Sequence, residues 1–499
     1  MLIVGSGGGR DILSALLFDQ KSVIAVEIND ATVEMVKERF SEFTGHLDRD
    51  PRVSFFNDEA RSYIARQKNQ FDILQMSLID TRAATSAGAF VLSEHSLYTV
   101  EAWELFLRRL NPKGILTVSR WYFGGRPGEM YRLTALAGTA LMRRGIRNPQ
   151  NHIAIARVKL HPEPGNVPLG IATILVSQGP FSARDVATLE QVAKKMKCDI
   201  VLSPNFAWDS TFKILSSGKD LDAFTSKFPI RIDPPTDDSP FFLFMARLLD
   251  FFRPGQWKKE ATFFNMKPVF ILGGLLVTVV GLTLLCIILP LVLTTKSQVP
   301  KTTAPLFIYF FGIGFGFMRI EISQMQRLIV FLGHPVYGLS VVLFSLLLSS
   351  GLGSYWSQRI RDERWASQAV GCLFLLLCAL AAFGVLTPHA IGRFAGSVTA
   401  VRIAVATGIL FPIGVFMGTA FPLGMRAAAA RSPSLTPWLW GINGATSVCA
   451  SVVAVIISLG AGISASFWAG WVCYLLAFLA AIWMGRWMTR GSVMEMEGA

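Results

Sequence analysis

Long stretches without a charged residue dominate the second half of this 499-residue chain. The run Pro268–Leu293 carries no charge across 26 positions, and 54 uncharged residues separate Arg431 from Arg486. A helix needs about 20 apolar residues to cross the hydrocarbon core of a bilayer. The first run is therefore long enough for one span, and the second for two spans and a turn. The sequence predicts seven hydrophobic segments, near residues 268–293, 305–332, 336–357, 365–386, 403–425, 436–459 and 464–485.

The first 267 residues have the mixed composition of a soluble α/β protein. Apolar residues make up 52% of the whole chain, which is high for a soluble protein, and the excess lies beyond residue 267. We therefore predict four regions: an α/β domain at 1–230, a linker or juxtamembrane segment at 231–267, an all-α polytopic transmembrane bundle of six to seven spans at 268–486, and a polar tail at 487–499.

The net charge of +13 fits a membrane partner better than a nucleic acid. Basic residues commonly flank membrane spans. The sequence also shows no interleaving of aromatic and basic residues of the kind that nucleic-acid-binding proteins use. We therefore expect a lipid bilayer as a partner and no nucleic acid.

The cysteines and histidines show no pattern of metal ligands. Five of the six cysteines fall in apolar segments, with Cys198 as the exception, and none forms a CxxC pair. We expect buried, unpaired thiols. The six histidines are scattered without the spacing of metal ligands, so the sequence predicts no metal site.

The chain opens on "LIVGSGGGRDILSALLF", which has the pattern of a strand, a tight loop and a helix. Leu2–Val4 is a short apolar strand. The glycines let the backbone turn sharply and approach a ligand closely, and the start of the helix offers free N–H groups. "SVIAVEIN" then predicts a second strand that ends at Glu27. The opening is therefore a βαβ unit, with Leu2–Val4 as the central strand of the sheet.

The spacing of the loop glycines favours one class of nucleotide. A dinucleotide fingerprint, GxGxxG, would need a glycine at position 10, which is Arg10. The pattern is instead GxGxG, at Gly5, Gly7 and Gly9, and this spacing resembles the first motif of S-adenosylmethionine-binding enzymes. A carboxylate at Glu27 suits the two hydroxyls of a ribose. The alternative is a glycine turn that holds no ligand.

Later segments continue a Rossmann-like pattern. "DPRVSFFNDEARSYI" predicts a third strand followed by Asp58, and "FDILQMSLID" predicts a buried fourth strand that ends near Ser77 and Asp80. Ligands bind beyond the carboxyl ends of the strands in such sheets. A turn at residues 111–114 leads into a fifth strand, and "NHIAIARV" and "GIATILVSQ" predict an antiparallel hairpin that closes the sheet. Two amphipathic helices are predicted at "GEMYRLTALAGTALMRRG" and "ARDVATLEQVAKKM".

These motifs together resemble the spermidine synthase family, and specifically its membrane-fused bacterial branch. The first block consists of "VGSGGGRD", "VEIN", "DPRV", "FDILQMSLID" and "LYTVEAW" and covers about residues 1–122. A second block, "PPTDDSPFF" at 234–242, resembles the segment before the membrane region of that branch. A third, "GFMRIEISQMQRLIVFLGHPVYGLSVVLFSLLLSSGLGS", resembles its membrane signature. The resemblance implies a Rossmann-like domain of the class I methyltransferase type, followed by the transmembrane bundle.

The resemblance also implies a membrane-bound transferase of polyamine biosynthesis. Enzymes of this family move an aminopropyl group from decarboxylated S-adenosylmethionine to a polyamine such as putrescine. The implied co-substrate is decarboxylated S-adenosylmethionine or S-adenosylmethionine itself, without a metal, and the acceptor is a polyamine or another small cationic amine. Carboxylates hold the cationic ends of the acceptor, and one takes a proton from the attacking ammonium. An acidic or polar residue at the position of Asp58 lies beside the adenine in this superfamily.

One position departs from the family's pattern. The family places two acids after the fourth strand, as D-x-x-D; here the second is Asp80, but the first position holds Ser77. A serine can hydrogen-bond the donor, but it is a poor base near neutral pH. Glu94 and Asp58 are candidate substitutes, and the structural alternative for Asp80 is a helix-capping or turn residue. Two other functions therefore stay open: an S-adenosylmethionine-dependent methyltransferase, and a membrane transporter or sensor with a non-catalytic nucleotide-binding domain.

Enzymes of this family usually carry N-terminal strands that help to close the active site, and none precedes Leu2 here. We expect one of three cases: a truncated reading frame, a form without this lid, or an N-terminal partner region supplied by another polypeptide. The protein could also assemble as a homo-oligomer. Because the adenosyl donor is cytosolic, the resemblance implies an integral protein of the bacterial inner membrane with its nucleotide-binding domain in the cytoplasm.

The second hydrophobic segment contains five strongly polar residues within nine positions: Arg319, Glu321, Gln324, Gln326 and Arg327. Charges at membrane depth are costly and usually face a protein interior or a cavity. This helix is therefore either surrounded by other segments or placed close to the interface, and it is the best candidate for a segment that does not cross. The functional interpretation is a polar site in which Glu321 binds an amine. The structural interpretation is an internal polar network that fixes helix packing.

The acidic stretch "PPTDDSPFF" also has two interpretations. It is either a plain linker or a segment that places Asp237 and Asp238 over the mouth of the active site, where they attract polyamines.

Overall fold

The computed structural model of this chain describes residues 1–79, 94–123, 127–159, 170–247, 267–294, 303–333, 335–360, 365–431 and 433–497. The chain divides into two compact units, Met1–Val269 and Phe270–Ala499. The first is the α/β unit and the second is the membrane unit.

Strands and helices alternate in the first half of the α/β unit. The elements are β1 (Leu2–Val4), α1 (Arg10–Leu17), β2 (Val23–Glu27), α2 (Asp30–Glu34, continued by a π-helical turn at Met35–Arg39), β3 (Val53–Asn57), α3 (Ala60–Arg66), β4 (Phe71–Ser77), α4 (Val100–Arg108) and β5 (Leu110–Tyr122). Local capping explains where these helices begin. The side chain of Glu59 accepts from N–H groups of the first turn of α3, and Thr99 Oγ1 accepts from the N–H of Ala102 in α4.

The second half continues the same sheet with more mixed topology. Its elements are α5 (Gly128–Arg143), a 3-10 turn (Pro149–His152), β6 (Ile153–Lys159), β7 (Gly170–Ser177), α6 (Ala183–Lys195), β8 (Asp199–Ser203), β9 (Phe206–Ala207), α7 (Ser210–Ser217) and α8 (Leu221–Lys227). A capping box, in which Ser182 and Asp185 bond each other's backbone N–H, starts α6.

The nine described strands form one sheet in the order β3-β2-β1-β4-β5-β7-β6-β8-β9. Strands β1 to β5 are parallel, and β1 lies at the centre between β2 and β4, as predicted. The connections run in opposite directions on either side of β1, so a switch point lies between β1 and β4. Ligands bind at this place in doubly wound sheets. The Rossmann-like fold class predicted from the sequence is confirmed.

Two local expectations about the sheet need correction. β6 and β7 are antiparallel as predicted, but they do not close the sheet, because β6 also pairs with β8 and β8 with β9. β8 and β9 were not predicted because their short sequences show little of the alternation of apolar and polar residues that indicates a strand. The predicted turn at residues 111–114 lies inside the long strand β5. Leu110 pairs with Phe71 and Ile115 with Ile73, so the residues between them form an irregularity in the register.

Helix α5 is buried almost all round, whereas the sequence predicted an amphipathic helix. Its one internal arginine, Arg132, is fully buried. This guanidinium donates to the backbone carbonyl of Asp233 at 2.9 Å and to those of Phe241, Phe242 and Phe244 at 2.7–3.0 Å. A charged residue therefore lies inside because four carbonyls bind it, which a hydrophobic pattern does not reveal.

The described part of the predicted linker, residues 231–247, packs against the α/β unit. Phe241 and Phe242 are fully buried, and the ring of Phe242 stacks on Tyr98 with centroids 4.7 Å apart. The N–H of His95 donates to the carbonyl of Pro240 at 2.8 Å. This segment is thus an ordered part of the α/β unit up to residue 247.

The membrane unit is all helical in its described residues. Its helices are α9 (Lys267–Thr283), continued through a π-helical turn (Leu284–Ile288) into α10 (Leu289–Thr294), then α11 (Ala304–Leu332), α12 (Pro335–Ser357), α13 (Trp365–Phe394), α14 (Thr399–Arg431), α15 (Thr436–Ala461) and α16 (Ile463–Glu497). Seven stretches of the described chain are long and apolar enough to cross a membrane. They coincide with the seven segments predicted from the sequence.

Helix α11 lies inside the membrane unit, where it packs against α12, α14, α15 and α16. A Cβ on Gly312 would lie 2.7 Å from the carbonyl oxygen of Cys473, and one on Gly316 would lie 3.0 Å from the ring of Tyr474. Small residues therefore let α11 and α16 approach closely. The polar segment is surrounded by other helices, and its length and hydropathy also suffice for a span.

The six cysteines are all free. Cys372 and Cys473 are buried as expected, but Cys286 and Cys378 are exposed on the surface of the membrane unit. The expectation of burial is wrong for these two because they lie on helix faces that point away from the bundle.

Candidate functional site

The glycine loop follows β1 at the switch point of the sheet. Gly5, Gly7 and Gly9 have φ angles of +73°, +48° and +88°, in the left-handed region that favours glycine. A Cβ on Gly5 would lie 2.7 Å from Ile79 Cγ2, and one on Gly9 would lie 2.5 Å from Leu47 Cδ1. A Cβ on Gly7 would meet no atom of the described residues within 4 Å. The outer two glycines therefore permit close packing, and no described atom occupies the space in front of Gly7.

Glu27 ends β2 beside this loop, and its side chain is almost fully buried. Its Oε2 accepts from the N–H of Gly7 at 3.2 Å, and its Oε1 accepts from the N–H of Asn29 at 3.1 Å. A carboxylate offers about four acceptor positions, so these two bonds fix the group and leave lone pairs for a ligand. The carboxylate is held next to the space in front of Gly7 that no described atom occupies.

Ser6 was missed by the reasoning from sequence. It is 5% exposed, and its Oγ has no hydrogen-bond partner in the described part of the chain. Buried hydroxyl groups are normally bonded. Its position between Gly5 and Gly7 could have indicated this residue from the sequence. The unbonded hydroxyl makes Ser6 a candidate for binding a ligand at the loop.

Asp58 lies next to Glu27, as the neighbouring parallel strands require. Its N–H donates to the carbonyl of Glu27 at 3.1 Å, and its Oδ1 accepts from the N–H of Glu59 at 2.8 Å. Its Oδ2 forms an ion pair with Arg66 on α3. The structure thus brings Asp58 to the predicted edge of the sheet and couples it to an arginine that the sequence analysis did not single out.

Ser77 ends β4, on the other side of β1 from Glu27. Its Oγ accepts from Nε2 of Gln75 at 3.1 Å. The next residue, Leu78, has φ +49°, a region that costs energy for a branched side chain, and its N–H donates to the carbonyl of Ser119 at 3.1 Å. Strained backbone of this kind is often found at functional sites. Asp80 lies outside the described residues.

Asp237 packs at the first turns of α3 and α4, whose N-termini face the carboxyl ends of the strands. Both of its oxygens bind Arg61, at 2.7 and 2.5 Å, and Oδ1 also accepts from Thr99 Oγ1 at 2.7 Å. Burial opposes the charge on Arg61, but the carboxylates of Asp237, Glu59 and Glu101 outweigh it and raise the pKa of the guanidinium. The charge of Asp237 is therefore balanced within the protein.

The predicted polar residues of the membrane unit are all buried on α11. They fall on two faces of that helix: Arg319 and Gln326 on one, Glu321 and Gln324 on the other. The Nε of Arg319 donates to the carbonyl of Ser466 on α16 at 3.5 Å. Arg319 and Glu321 form no ion pair with each other.

Within the described residues, no group of three or more His, Cys, Asp or Glu side chains is arranged to hold a metal ion. The α/β unit instead offers a carboxylate, backbone N–H groups and a buried hydroxyl around a glycine loop at the switch point. This set of groups suits the sugar of a nucleoside.

No protein-family model matches this chain. A stretch of 121 residues is 26% identical to polyamine aminopropyltransferase 2 of Pseudomonas aeruginosa and covers 24% of this chain. The chain spans about a third of that relative's length, 32%. The resemblance to aminopropyltransferases of the spermidine synthase family is thereby confirmed, and the relative that carries it is a transferase.

Solved structures that are similar to this chain include a spermidine synthase from Thermotoga maritima, at 18% identity and a TM-score of 0.27 over 37% of this chain and 54% of that one. An rRNA methylase from Streptococcus thermophilus is 15% identical, with a TM-score of 0.22 over 35% of this chain and 85% of that one.

Proposed function

We propose that the α/β unit is a spermidine synthase-like transferase. It moves an aminopropyl group from decarboxylated S-adenosylmethionine to a small cationic acceptor such as putrescine. The observation that carries this proposal is the carboxylate of Glu27, which the N–H groups of Gly7 and Asn29 fix at the switch point, beside a space that no described atom occupies. The similarity to a polyamine aminopropyltransferase supports the same reaction class.

In the proposed binding mode, Glu27 accepts hydrogen bonds from the two ribose hydroxyls. Gly5, Gly7 and Gly9 let the loop backbone come close to the nucleoside, and Ser6 supplies a further hydroxyl. Asp58 and its partner Arg66 lie at the adenine side. These roles follow from position at the carboxyl ends of β1, β2 and β3.

The transfer requires a neutral acceptor amine aligned with the carbon next to the sulfonium. The amine nitrogen forms a bond to that carbon as the carbon–sulfur bond breaks, and the electron pair of the broken bond stays on sulfur. The acceptor ammonium loses its proton to a base. We assign the orientation of the amine to Asp80, while Ser77 hydrogen-bonds the donor.

A second function is favoured by one observation, the serine at position 77. Its hydroxyl accepts from Gln75, and it cannot serve as the first acid of the family's pair. An S-adenosylmethionine-dependent methyltransferase needs no acid pair that holds a polyamine, so methyl transfer is the alternative. The third function is a membrane sensor or transporter whose α/β unit binds nucleoside without turnover.

Mass spectrometry of the products separates these three functions. Full-length protein is incubated with putrescine and either decarboxylated S-adenosylmethionine or S-adenosylmethionine. Spermidine and methylthioadenosine formed only from the decarboxylated donor support aminopropyl transfer. Methylated product from S-adenosylmethionine supports the alternative, and saturable nucleoside binding without any product supports the sensor.

We further propose that the protein is anchored in the bacterial inner membrane with the α/β unit in the cytoplasm, because the adenosyl donor is a cytoplasmic compound. The seven apolar helices supply the anchor.

A further inference from the structure

The two polar faces of α11 have different partners. On the face toward α16, Arg319 donates to the carbonyl of Ser466 and lies over the ring of Phe315, 5.4 Å from its centroid. Arg327 donates to Ser464 Oγ at 2.8 Å and lies 5.0 Å from the centroid of the Phe467 ring. Arg319 and Arg327 therefore lie against α16 and against aromatic rings, and one nitrogen of Arg319, Nη2, has no hydrogen-bond partner in the described chain.

The opposite face carries Glu321 and Gln324, three residues apart and therefore neighbours on the helix surface. Glu321 is 9% exposed, and it makes no hydrogen bond or ion pair with any described residue. Gln324 is fully buried, and both its Oε1 and its Nε2 lack a partner among the described residues. Buried polar groups without partners are rare in native structures, and each calls for a bound molecule or another explanation.

The register between α11 and α15 identifies what faces this pair. Asn443 Nδ2 donates to the carbonyl of Phe310, and Ser447 Oγ donates to the carbonyl of Gly314. Both contacts join residues 133 apart in the chain, so the two helices run parallel. Two turns beyond Gly314, the same register places Glu321 opposite Ala454, which is buried and presents only a methyl group.

Ser458 lies one turn beyond Ala454 on the same row of α15. It is fully buried, and its Oγ has no hydrogen-bond partner in the described chain. At this level α11 carries a carboxylate and an amide and α15 carries a hydroxyl. All three side chains are buried, and none has a hydrogen-bond partner among the described residues. We call these three residues, Glu321, Gln324 and Ser458, the buried polar triad.

The chemistry of the triad selects a monovalent cation with several N–H donors. Glu321 is the one acidic residue in the seven candidate spans, so the site supplies at most one negative charge. The two carboxylate oxygens, the amide oxygen and the hydroxyl are acceptors, and an alkylammonium group has three N–H donors and no acceptor. A hard metal ion would need about six oxygen ligands, more than these three side chains supply.

We propose that the buried polar triad is a second ligand site, inside the membrane unit, that binds the ammonium group of a small alkylamine. This site is separate from the nucleoside site of the α/β unit. The proposal does not depend on aminopropyl transfer.

The test is equilibrium binding of radiolabelled n-butylamine, at a pH where it is protonated, to the full chain in lipid nanodiscs. Wild-type protein is expected to bind it saturably. Unlabelled n-butylammonium should displace the label, whereas tetramethylammonium, which has no N–H donor, should not. Absence of saturable binding, or equal displacement by tetramethylammonium or Na⁺, overturns the proposal.

Two serines provide a matched pair of variants. Ser458→Ala removes a triad hydroxyl and should weaken n-butylamine binding about threefold or more. Ser466→Ala removes another fully buried hydroxyl that also lacks a partner in the described chain, but it lies on α16 toward Arg319. It should leave binding unchanged. Equal effects of the two substitutions contradict the assigned site.

Glu321→Gln removes the charge at nearly constant volume and should weaken binding at least tenfold. Glu321→Asp keeps the charge and should retain part of the affinity, which covers the case in which the glutamine variant does not fold. Nucleoside binding by the α/β unit should be unaffected in both variants. The amine-site proposal and the transferase proposal are therefore tested by separate measurements. Unchanged n-butylamine affinity in a folded Glu321→Gln protein contradicts the proposal.

Discussion

The backbone N–H of Gly7 donates to Oε2 of Glu27 at 3.2 Å, and this bond joins the glycine loop to the end of the neighbouring strand. The two residues are 20 positions apart in the chain. The bond holds the carboxylate beside a position where a Cβ would meet no described atom within 4 Å. The proposed nucleoside site depends on this arrangement.

Gly7→Ala and Gly9→Ala are expected to have different effects. At Gly7 there is room for a methyl group, so the cost to stability is the left-handed φ alone, about 1 kcal/mol. Nucleoside affinity should nevertheless fall, because the methyl group enters the space that we assign to the ligand. At Gly9 the methyl group also meets Leu47, and the free energy of unfolding should fall by about 1–3 kcal/mol. Thermal unfolding measures the change in stability, and calorimetric titration with the nucleoside donor measures the change in affinity. If Gly7→Ala loses no more nucleoside affinity than Gly9→Ala does, the assignment of Gly7 to the ligand site is contradicted.

Ser77→Asp restores the acid that the family carries at this position. If the unit transfers aminopropyl groups, the added carboxylate should speed spermidine formation by about 10- to 100-fold. Ser77→Ala is the comparison: it should weaken binding of the donor, because it loses the proposed hydrogen bond, and it should not raise the rate, because it supplies no base. Initial rates measured by mass spectrometry provide the readout. A folded Ser77→Asp protein that is no faster than Ser77→Ala speaks against a role for this position in proton transfer.

Asp237→Asn should loosen the segment that packs on α3 and α4. The change leaves the mostly buried guanidinium of Arg61 without its bidentate partner and should cost about 1–3 kcal/mol. Hydrogen–deuterium exchange of residues 234–242 should rise together with a fall in melting temperature. Glu190→Gln, at an exposed position of α6, is the control. Exchange that stays at the wild-type level in Asp237→Asn shows that the aromatic contacts of the segment suffice to hold it.

Asp233 predicts an acid-sensitive contribution to stability. Burial opposes its ionisation, but the charges of Arg132 and Arg231 outweigh burial and place its pKa below the ordinary value of 3.8. A carboxyl with a lowered folded-state pKa stabilises the fold above pH 3.8, and that contribution is lost as the pH falls through the lower folded value. Asp233→Asn should therefore be less stable than wild type at pH 7, and its stability should decline less below about pH 4.

Unfolding followed by circular dichroism between pH 7 and pH 3 measures this difference. Asp222→Asn, at an exposed position of α8, should keep the wild-type pH dependence. If the free energy of unfolding changes with pH in the same way in wild type and in Asp233→Asn, Asp233 does not contribute to the acid sensitivity.

Much of the fold could be predicted because its signals are local. The glycine loop, the apolar strands and the acids at strand ends each occupy a few consecutive residues, and parallel topology then brings Glu27 and Asp58 together. The seven apolar helices follow from run length alone.

The parts that the sequence did not reveal depend on contacts between distant residues. Arg61 and Asp237 are 176 positions apart, and nothing near either one indicates the pair. Arg132 has the appearance of a solvent-facing residue on an amphipathic helix, and its burial is explained by four carbonyl partners and the carboxylate of Asp233, about 100 positions later. Ser458 is an ordinary helix serine until the register between α11 and α15 places it opposite Met325, the residue next to Gln324.

Calorimetric titration of the full chain with decarboxylated S-adenosylmethionine, in wild-type and Glu27→Gln forms, tests the central claim most directly. The control is Glu34→Gln, an exposed glutamate on α2 that pairs only at the surface with Arg39. We predict saturable binding by wild type and by the control, with at least tenfold weaker binding, about 1.4 kcal/mol, in Glu27→Gln. Absence of binding by wild type, or equal affinity in Glu27→Gln, would contradict the account.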